Sequence, residues 1–428
     1  MNREPRPPVP AKPFHYGWVI VGTGTLIIMA CLGFGRFALG MLLPSMGNSL
    51  GLDYAQMGFI STGNFIGYLG AVFLSGLLTA HLGARRLIAV GLALVALSMM
   101  AVSLAQSFAQ VLLLYFITGF GAGTANVPIM ALISHWFERS LRGRAAGFIV
   151  SGSGFAIVFS GWMIPAINDR VGPEGWRWSW LVLGGLALAI TVIATALIRN
   201  RPAERGLSPH GSESRGASKA VGAARPAPPP DPPAAYGRRT ITHLGLVYFL
   251  FGFTYVIYTT FIVTALVQER GFSEASAGQF WMWVGAISIL SGPLFGGLSD
   301  RTGRKTALMI VFAMHTAAYL LVALRLPDVF AYLSIFLWAI GVWSVPSIMT
   351  AAVGDYLGAE RAAAAFGTVT LFFGLGQIVG PGLAGVLADF TGSFAWSFAL
   401  AAAMTALAVV LSAAMRRPSC SPRPAGAK

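Results

Sequence analysis

Twelve stretches of this chain are apolar and long enough to cross a bilayer, and that count limits its fold more than any motif does. They lie near 17–46, 56–78, 87–105, 110–134, 145–167 and 178–198, then 242–266, 277–299, 306–324, 329–352, 363–387 and 394–415. A helical span needs about 20 apolar residues. Inside lipid every backbone N–H and C=O must be paired within the protein, so apolar runs of this length are read as helices and not as loops or open sheets. The expected fold class is an all-α membrane protein with 12 transmembrane helices. Composition agrees: 56% of the 428 residues are hydrophobic, 10% are charged, and mean hydropathy is +0.70. A soluble domain carries about 25% charged residues, so this chain could not cover a globule with polar surface. Its proline-rich, basic start leads directly into a full-length span, so no cleavable leader is expected. The two cysteines, Cys31 and Cys420, offer neither a disulfide framework nor metal-ligand spacing.

The net charge of +14 would point to nucleic acid in a soluble protein, but its placement points elsewhere. With the N-terminus inside, 24 of the 29 Lys and Arg fall in cytoplasmic segments and four (Arg170, Arg177, Arg270 and Arg325) in outer loops. This is the positive-inside bias, which puts both termini in the cytoplasm, and no nucleic-acid partner is needed to explain the charge. The remaining basic residue is Arg36, inside the first span.

Residues 199–241 interrupt the spans with a stretch rich in Pro, Gly, Ser, Ala and Arg, without apolar periodicity. A disordered cytoplasmic linker is expected there, serving as a tether or, alternatively, as a regulatory segment. The chain divides into an N-tail 1–16, a six-helix bundle 17–198, the linker 199–241, a second six-helix bundle 242–415 and a C-tail 416–428. The two bundles repeat one another. Gly51, Gly58, Gly76 and Gly83 recur 220 residues later as Gly271, Gly278, Gly296 and Gly303, and Gly123 and Pro128 recur as Gly341 and Pro346. Paired halves with a site between them are a common transporter plan.

The sharpest motif follows the eighth span: "GGLSDRTGRK", 296–305, with a degenerate counterpart "GLLTAHLGARR", 76–86. With twelve spans, the repeated halves and the long central linker, it resembles the loop signature of the major facilitator superfamily. That resemblance implies two pseudo-symmetric six-helix halves and a conformational latch built from Gly296, Asp300, Arg301, Gly303 and Arg304, the competing reading being a topology anchor. Ala80 stands where the first half's acidic residue would be, so a latch symmetric across both halves is not expected. Many members carry an arginine in the fourth span where this chain has Tyr115. The Gly-Pro signature that drug antiporters carry in the fifth span is missing there, though "GLGQIVGPGLAG" in the eleventh is similar. "HYGWVIV", 15–21, resembles the opening of bacterial monocarboxylate and organic-anion members, and "GFGRFALGMLLPSM" resembles an uncharacterised bacterial group.

All fifteen acidic residues fall in loops or at span ends, leaving Arg36 as the one formal charge of the membrane interior. An unpaired charge at that depth is costly and is functional by default. A lone arginine without a carboxylate suits an anion, whereas carriers of cations would be expected to bury an acid. Taking 17–46 as the span, Arg36 lies ~7 Å beyond the midplane; the competing reading is an arginine snorkelling outward. The equivalent position in the second half is Val256, so the repeat does not require a cation there. Asn64, Asn126, Tyr255, Tyr258 and Gln377 are the polar side chains on cavity-lining spans that join Arg36 as candidate substrate contacts, each also readable as an interhelical clasp. Trp343 is a candidate cavity wall, and His315 is expected to be packed structurally. No nucleotide-binding loop, catalytic triad order or metal cluster is present, so neither a cofactor nor an enzyme is expected.

These readings converge on a monomeric secondary transporter of the bacterial inner membrane, moving a small organic anion by alternating access with Arg36 as charge anchor. With no interior carboxylate, coupling is expected by anion exchange, by uniport, or by co-transport in which the proton titrates the substrate or the arginine site itself. The alternatives are an exporter of neutral or amphipathic compounds, with Arg36 structural, and a membrane sensor that binds without transport.

Overall fold

The computed structural model describes residues 15–211, 236–324, 326–358 and 361–415. The tails, the centre of the linker (212–235), Arg325 and Cys420 lie outside the described residues. Twelve long apolar helices cross the molecule: α1 Gly17–Leu50, α2 Tyr54–Leu82, α3 Ala84–Val102, α4 Phe108–Trp136, α5 Ser140–Val171, α6 Gly175–Leu197, α7 Gly237–Glu269, α8 Glu274–Thr302, α9 Arg304–Ala323, α10 Val329–Leu357, α11 Ala364–Thr391 and α12 Phe394–Ala414. Successive helices alternate in direction, so the start of α1 and the end of α12 share one face, here termed proximal; the other is distal. Large apolar side chains such as Leu113, Val192, Phe390 and Val410 stand more than 60% exposed on the outside. In water they would form a sticky surface; in a twelve-span protein they are the lipid-facing band.

Local chemistry sets the helix ends. Asp53 accepts the Gln56 N–H at 2.6 Å while the Gln56 side chain returns to the Asp53 N–H, a reciprocal cap that starts α2. Ser273 caps α8, and Glu269 accepts from the Phe394 N–H at 2.6 Å at the start of α12. At the distal end of α6, Glu174 accepts from Ser49 at 2.6 Å and pairs with Arg177. The Ser49 hydroxyl first and the Arg177 guanidinium second hold its carboxyl below the usual carboxylate range.

The spans run longer than their apolar cores. The first reaches Leu50 and not 46, and the tenth reaches Leu357 with a break at Val342–Trp343 between helical pieces Val329–Gly341 and Ser344–Leu357. The linker expectation needs correction at both ends. Residues 237–241 form the first turn of α7. Residues 199–211 are strapped to the proximal face: Trp136 Nε1 donates to the Arg199 carbonyl at 3.0 Å, the Asn200 side chain accepts from the Arg85 N–H at 2.9 Å, and His210 exchanges backbone hydrogen bonds with Trp136 and Glu138. His210 stacks on His15 with ring centroids 4.6 Å apart. Composition made this segment look unstructured because its anchors are backbone groups and two histidines, not apolar periodicity.

The halves meet along two helix pairs lined with glycine. On α5, Gly147, Gly154 and Gly161 recur every seven residues on one face; on α8, Gly278, Gly285 and Gly292 do the same. Gly161 packs on Gly278 and Gly154 on Gly285, so closely that a Cβ at any of the four would meet backbone of the facing helix. Gly147 and Gly292, one step nearer the proximal face, have nothing of the other half within 4 Å. The α2–α11 pair repeats this pattern. Gly58 abuts the Pro381 carbonyl and Gly385 the Tyr54 carbonyl, whereas Gly70 and Gly367 face open space. The halves are therefore sealed distally and parted proximally. Asn168 donates to Glu274 at 2.6 Å and Gln268 to Asn48 at 3.2 Å across the distal seal.

Candidate substrate site

Arg36 sits where α1 changes pitch. Met29–Phe37 is wound as a nine-residue π-helical stretch containing Gly33 and Gly35, flanked by ordinary α-helix. Wider turns leave some carbonyls without their usual intrahelical donor, and such stretches recur at functional sites. Two side chains take up the slack. Asn64 on α2 donates to the Gly35 carbonyl at 3.2 Å, and Tyr115 on α4 donates to the Arg36 carbonyl at 3.0 Å. Asn64 also bonds the Tyr115 carbonyl at 3.1 Å, closing a three-helix clasp behind the arginine. With α1 ending at Leu50, Arg36 lies about 4 Å beyond the helix midpoint, deeper than the shorter span implied.

The guanidinium lies against aromatic faces from α2, with its carbon 4.6 Å from the Phe65 ring centre and 4.3 Å from that of Tyr68. Cation–π contact of this kind holds the plane of the fork without consuming its N–H groups. Across the gap between halves it lies beside the Tyr255 hydroxyl of α7. Both tyrosines are themselves fixed by amides: Asn126 donates to Tyr68 at 2.7 Å, and Gln377 donates to Tyr255 at 2.5 Å. Each hydroxyl thus accepts from an amide and retains its own proton for donation. Trp343, at the break in α10, packs between Phe37 of the first half and Tyr255 of the second, at 5.5 and 6.1 Å between ring centres.

One edge of the fork is left open. Nε and Nη2 of Arg36 are buried and lack any hydrogen-bond partner, as does Nε1 of Trp343. These two arginine nitrogens point the same way and form the edge that receives both oxygens of a carboxylate side by side. Among the described residues no acidic side chain reaches them. Access is one-sided. Residues 37–47 of α1 and 251–266 of α7 are buried throughout, forming a lid on the distal side. Arg36, Tyr68, Asn126 and Trp343 are only half-buried, and the parted proximal ends of α5 and α8 lead toward them.

The structure thus gathers Arg36, Asn126, Tyr255 and Gln377 of the expected set, with Trp343 as a wall. Asn64 stands behind the site as a backbone clasp. Tyr258 belongs elsewhere: its hydroxyl pairs with Ser334 at 2.9 Å and its ring stacks on Trp338, inside the second half. Three residues along a helix is a 60° offset from Tyr255, enough to aim a long side chain at a different neighbour. His315 is fully buried between Phe251, Tyr319 and Trp338, in a packing position. Tyr68 and Phe65 were missed in the sequence. Tyr68 is one helical turn from Asn64, and a face-by-face reading of α2 would have found it. At the proximal end, Arg304 bridges Asp300 at 2.5 Å and Asp355 at 2.8 Å and bonds Ser299 at 2.6 Å, with Gly303 in the left-handed region at φ 89°. Gly296 faces open space, and Arg301 is exposed.

A twelve-helix carrier in two pseudo-symmetric halves, with Arg36 between them, is the class that this fold and site define. The chain belongs to the Major Facilitator Superfamily, whose sequence profile matches residues 25–370 and 344–428. It is 24% identical to the hexuronate transporter of Bacillus subtilis (strain 168) over 375 residues, 84% of this chain and 85% of that one. It is 24% identical to monocarboxylate transporter 2 of Homo sapiens over 418 residues, 91% and 84% of the respective chains. A putative tartrate transporter of Agrobacterium vitis is 25% identical over 388 residues, 84% and 81%. Among solved structures, the nucleoside transporter NupG superposes with a TM-score of 0.70 over 94% of this chain and 99% of its own, at 15% identity. The inward-facing, unoccupied bacterial homologue of the human lysosomal transporter Spinster gives 0.67 over 94% and 96%, at 16%. The family and these neighbours are transporters, not enzymes, and the chain is a multi-pass membrane protein.

Proposed function

We propose that this protein carries a small organic anion, bound through a carboxylate, across a bacterial inner membrane by alternating access, with Arg36 as the anchor. The observation that carries the reading is the open Nε–Nη2 edge of Arg36, buried between the halves with no acid beside it. A charge in such a place is stable only with a counter-ion, and a substrate carboxylate supplies one in the preferred bidentate geometry. Relatives named for hexuronate, tartrate, monocarboxylate and sulfoacetate transport are all carriers of organic anions, which supports the substrate class. The distal seal and proximal gap correspond to one end state of a rocking cycle. With the proximal face in the cytoplasm, as the excess of basic residues there favours, this is the inward-open state. Exchange, uniport, or entry with a substrate-borne proton each fits an interior without carboxylates.

Purified protein in liposomes preloaded with an unlabelled monocarboxylate should drive counterflow of the labelled acid. Arg36→Gln should abolish that flux at equal amounts of folded protein. Binding of the acid without counterflow or net flux would favour a sensor; flux of neutral compounds unaffected by Arg36→Gln would favour the exporter with a structural arginine.

A further inference from the structure

We propose that the Arg36 site selects a monoanion with an apolar body, an aromatic or branched aliphatic monocarboxylate, and rejects dianions and polyhydroxylated acids. The inference rests on the anion-carrier reading above and narrows it.

Charge is the first filter. Arg36 is the only cation that the described residues place between the halves at this depth; Arg270 is committed at the distal end of α7 to the Val322 and Leu326 carbonyls. One carboxylate neutralises Arg36. A second would have no partner once the halves close around the ligand and exclude water, the situation that most disfavours binding in a low-dielectric site.

The second filter is the balance of donors and acceptors. The donors gathered at the site are the arginine Nε and Nη2 and the Trp343 Nε1, all without partners, and the Tyr68 and Tyr255 hydroxyls, which accept from Asn126 and Gln377 and keep their own protons. All of these donate. The side-chain acceptors that the site's amides bring are the oxygens of Asn126 and Gln377, Asn64 lying behind the site. A carboxylate, which only accepts, suits this cage. A sugar acid would bring a row of hydroxyl donors that find too few acceptors once water is excluded, and each unpaired donor weakens binding.

The walls are the third filter. Beyond the fork the surface is aromatic. Tyr255 stacks on Phe251 and Phe373 at 5.1 and 5.8 Å, and Phe373 on Tyr248 at 4.4 Å. Tyr248, Phe251 and Tyr255 are buried within this stack, and the half-buried Phe373, Trp343 and Tyr68 are the rings it leaves accessible on the proximal side of the fork. An apolar body laid there, with its carboxylate at Arg36, would bury carbon against carbon, with ring-on-ring contact adding to area burial for an aromatic one.

The test is calorimetric binding to the full-length purified protein. The probes are phenylacetate and 4-methylpentanoate (apolar monoanions), phenylacetamide (neutral), phthalate and succinate (dianions), and glucuronate and tartrate (hydroxylated acids). Phenylacetate should bind at least about tenfold tighter than phthalate, succinate, glucuronate or tartrate, since unpaired buried polar groups discriminate by that much or more. Trp343→Phe, which keeps the wall but removes the donor, should weaken phenylacetate several-fold and phenylacetamide, whose neutral carbonyl is the weaker acceptor, by less. Glucuronate, tartrate or a dianion binding as tightly as phenylacetate, with a loss in Arg36→Gln, would overturn the selectivity while leaving the anion reading intact. Phenylacetamide binding as tightly as phenylacetate, or no acid binding at all, would overturn both.

Discussion

Asn64 and Tyr115 do not bond to the fork of Arg36, yet both hold the backbone that carries it. Tyr115 occupies the place where the family resemblance implied an arginine, and here its hydroxyl bonds an arginine's own carbonyl on the neighbouring helix. The arrangement makes Tyr115 a positioning residue. Tyr115→Phe removes one buried hydrogen bond, worth about 1 kcal/mol, and frees the Arg36 carbonyl. Anion affinity should fall about fivefold, the factor about 1 kcal/mol represents, while the affinity of a neutral amide analogue stays unchanged; equal losses for acid and amide would reduce the bond to a fold contact. Polar residues were legible in the sequence because each interrupts an apolar run, which is how Arg36, Asn126, Tyr255 and Gln377 stood out. Their partners were harder to read. Tyr68 and Phe65 look like ordinary membrane aromatics until the guanidinium lies on them, and only the helix rotation separates Tyr255, in the site, from Tyr258, outside it.

At the scale of helices, the number and order of elements follow from hydropathy alone, because lipid leaves the backbone no alternative to helix. What hydropathy cannot reveal is pitch and break. The π-helical stretch at Met29–Phe37 and the interruption at Val342–Trp343 depend on which carbonyls find outside donors, a property of neighbouring helices. The strap at 199–211 escaped for a related reason, since backbone pairing with α4 carries no compositional signature. The glycine faces of α5 and α8 meet at the distal steps Gly161–Gly278 and Gly154–Gly285 and part beyond them. Gly161→Val would drive a branched side chain into the Gly278 backbone and so oppose the distal seal. A cysteine introduced at Ser45, buried beside Gly161 at the distal contact, should become markedly more reactive to a membrane-impermeant thiol reagent in the Gly161→Val background on a chain with Cys31→Ser and Cys420→Ser. Unchanged protection would mean that the α5–α8 contact does not maintain the closed end. At the opposite face, Asp300→Asn removes one of the two carboxylates that Arg304 bridges. It should slow turnover several-fold with little effect on affinity, because the bridge is far from the fork; a normal turnover rate would leave the motif as a charge anchor only.

For the whole molecule, two six-helix halves meet at one end and part at the other, and Arg36, the one cation that the described residues place at this depth, lies between them. The repeat explains the scaffold, and its imperfection explains the site: Val256 stands where the second half would carry an arginine. Asymmetry of this kind places one charge on one half and the Tyr255–Gln377 pair on the other, so a bound carboxylate would touch both halves at once. A ligand that bridges two bodies shifts the equilibrium between their arrangements only through contacts that differ between states. The Nε–Nη2 edge is the contact with the most to gain. The most direct measurement is the affinity of one carboxylic acid and its neutral amide for wild type, Arg36→Lys and Arg36→Gln, each at matched folded protein. The wild-type preference for the acid should fall partway in Arg36→Lys, where charge persists without the fork, and disappear in Arg36→Gln. Wild-type acid affinity in Arg36→Gln, or an acid and amide that bind equally to the wild type, would contradict the role of Arg36 as anchor.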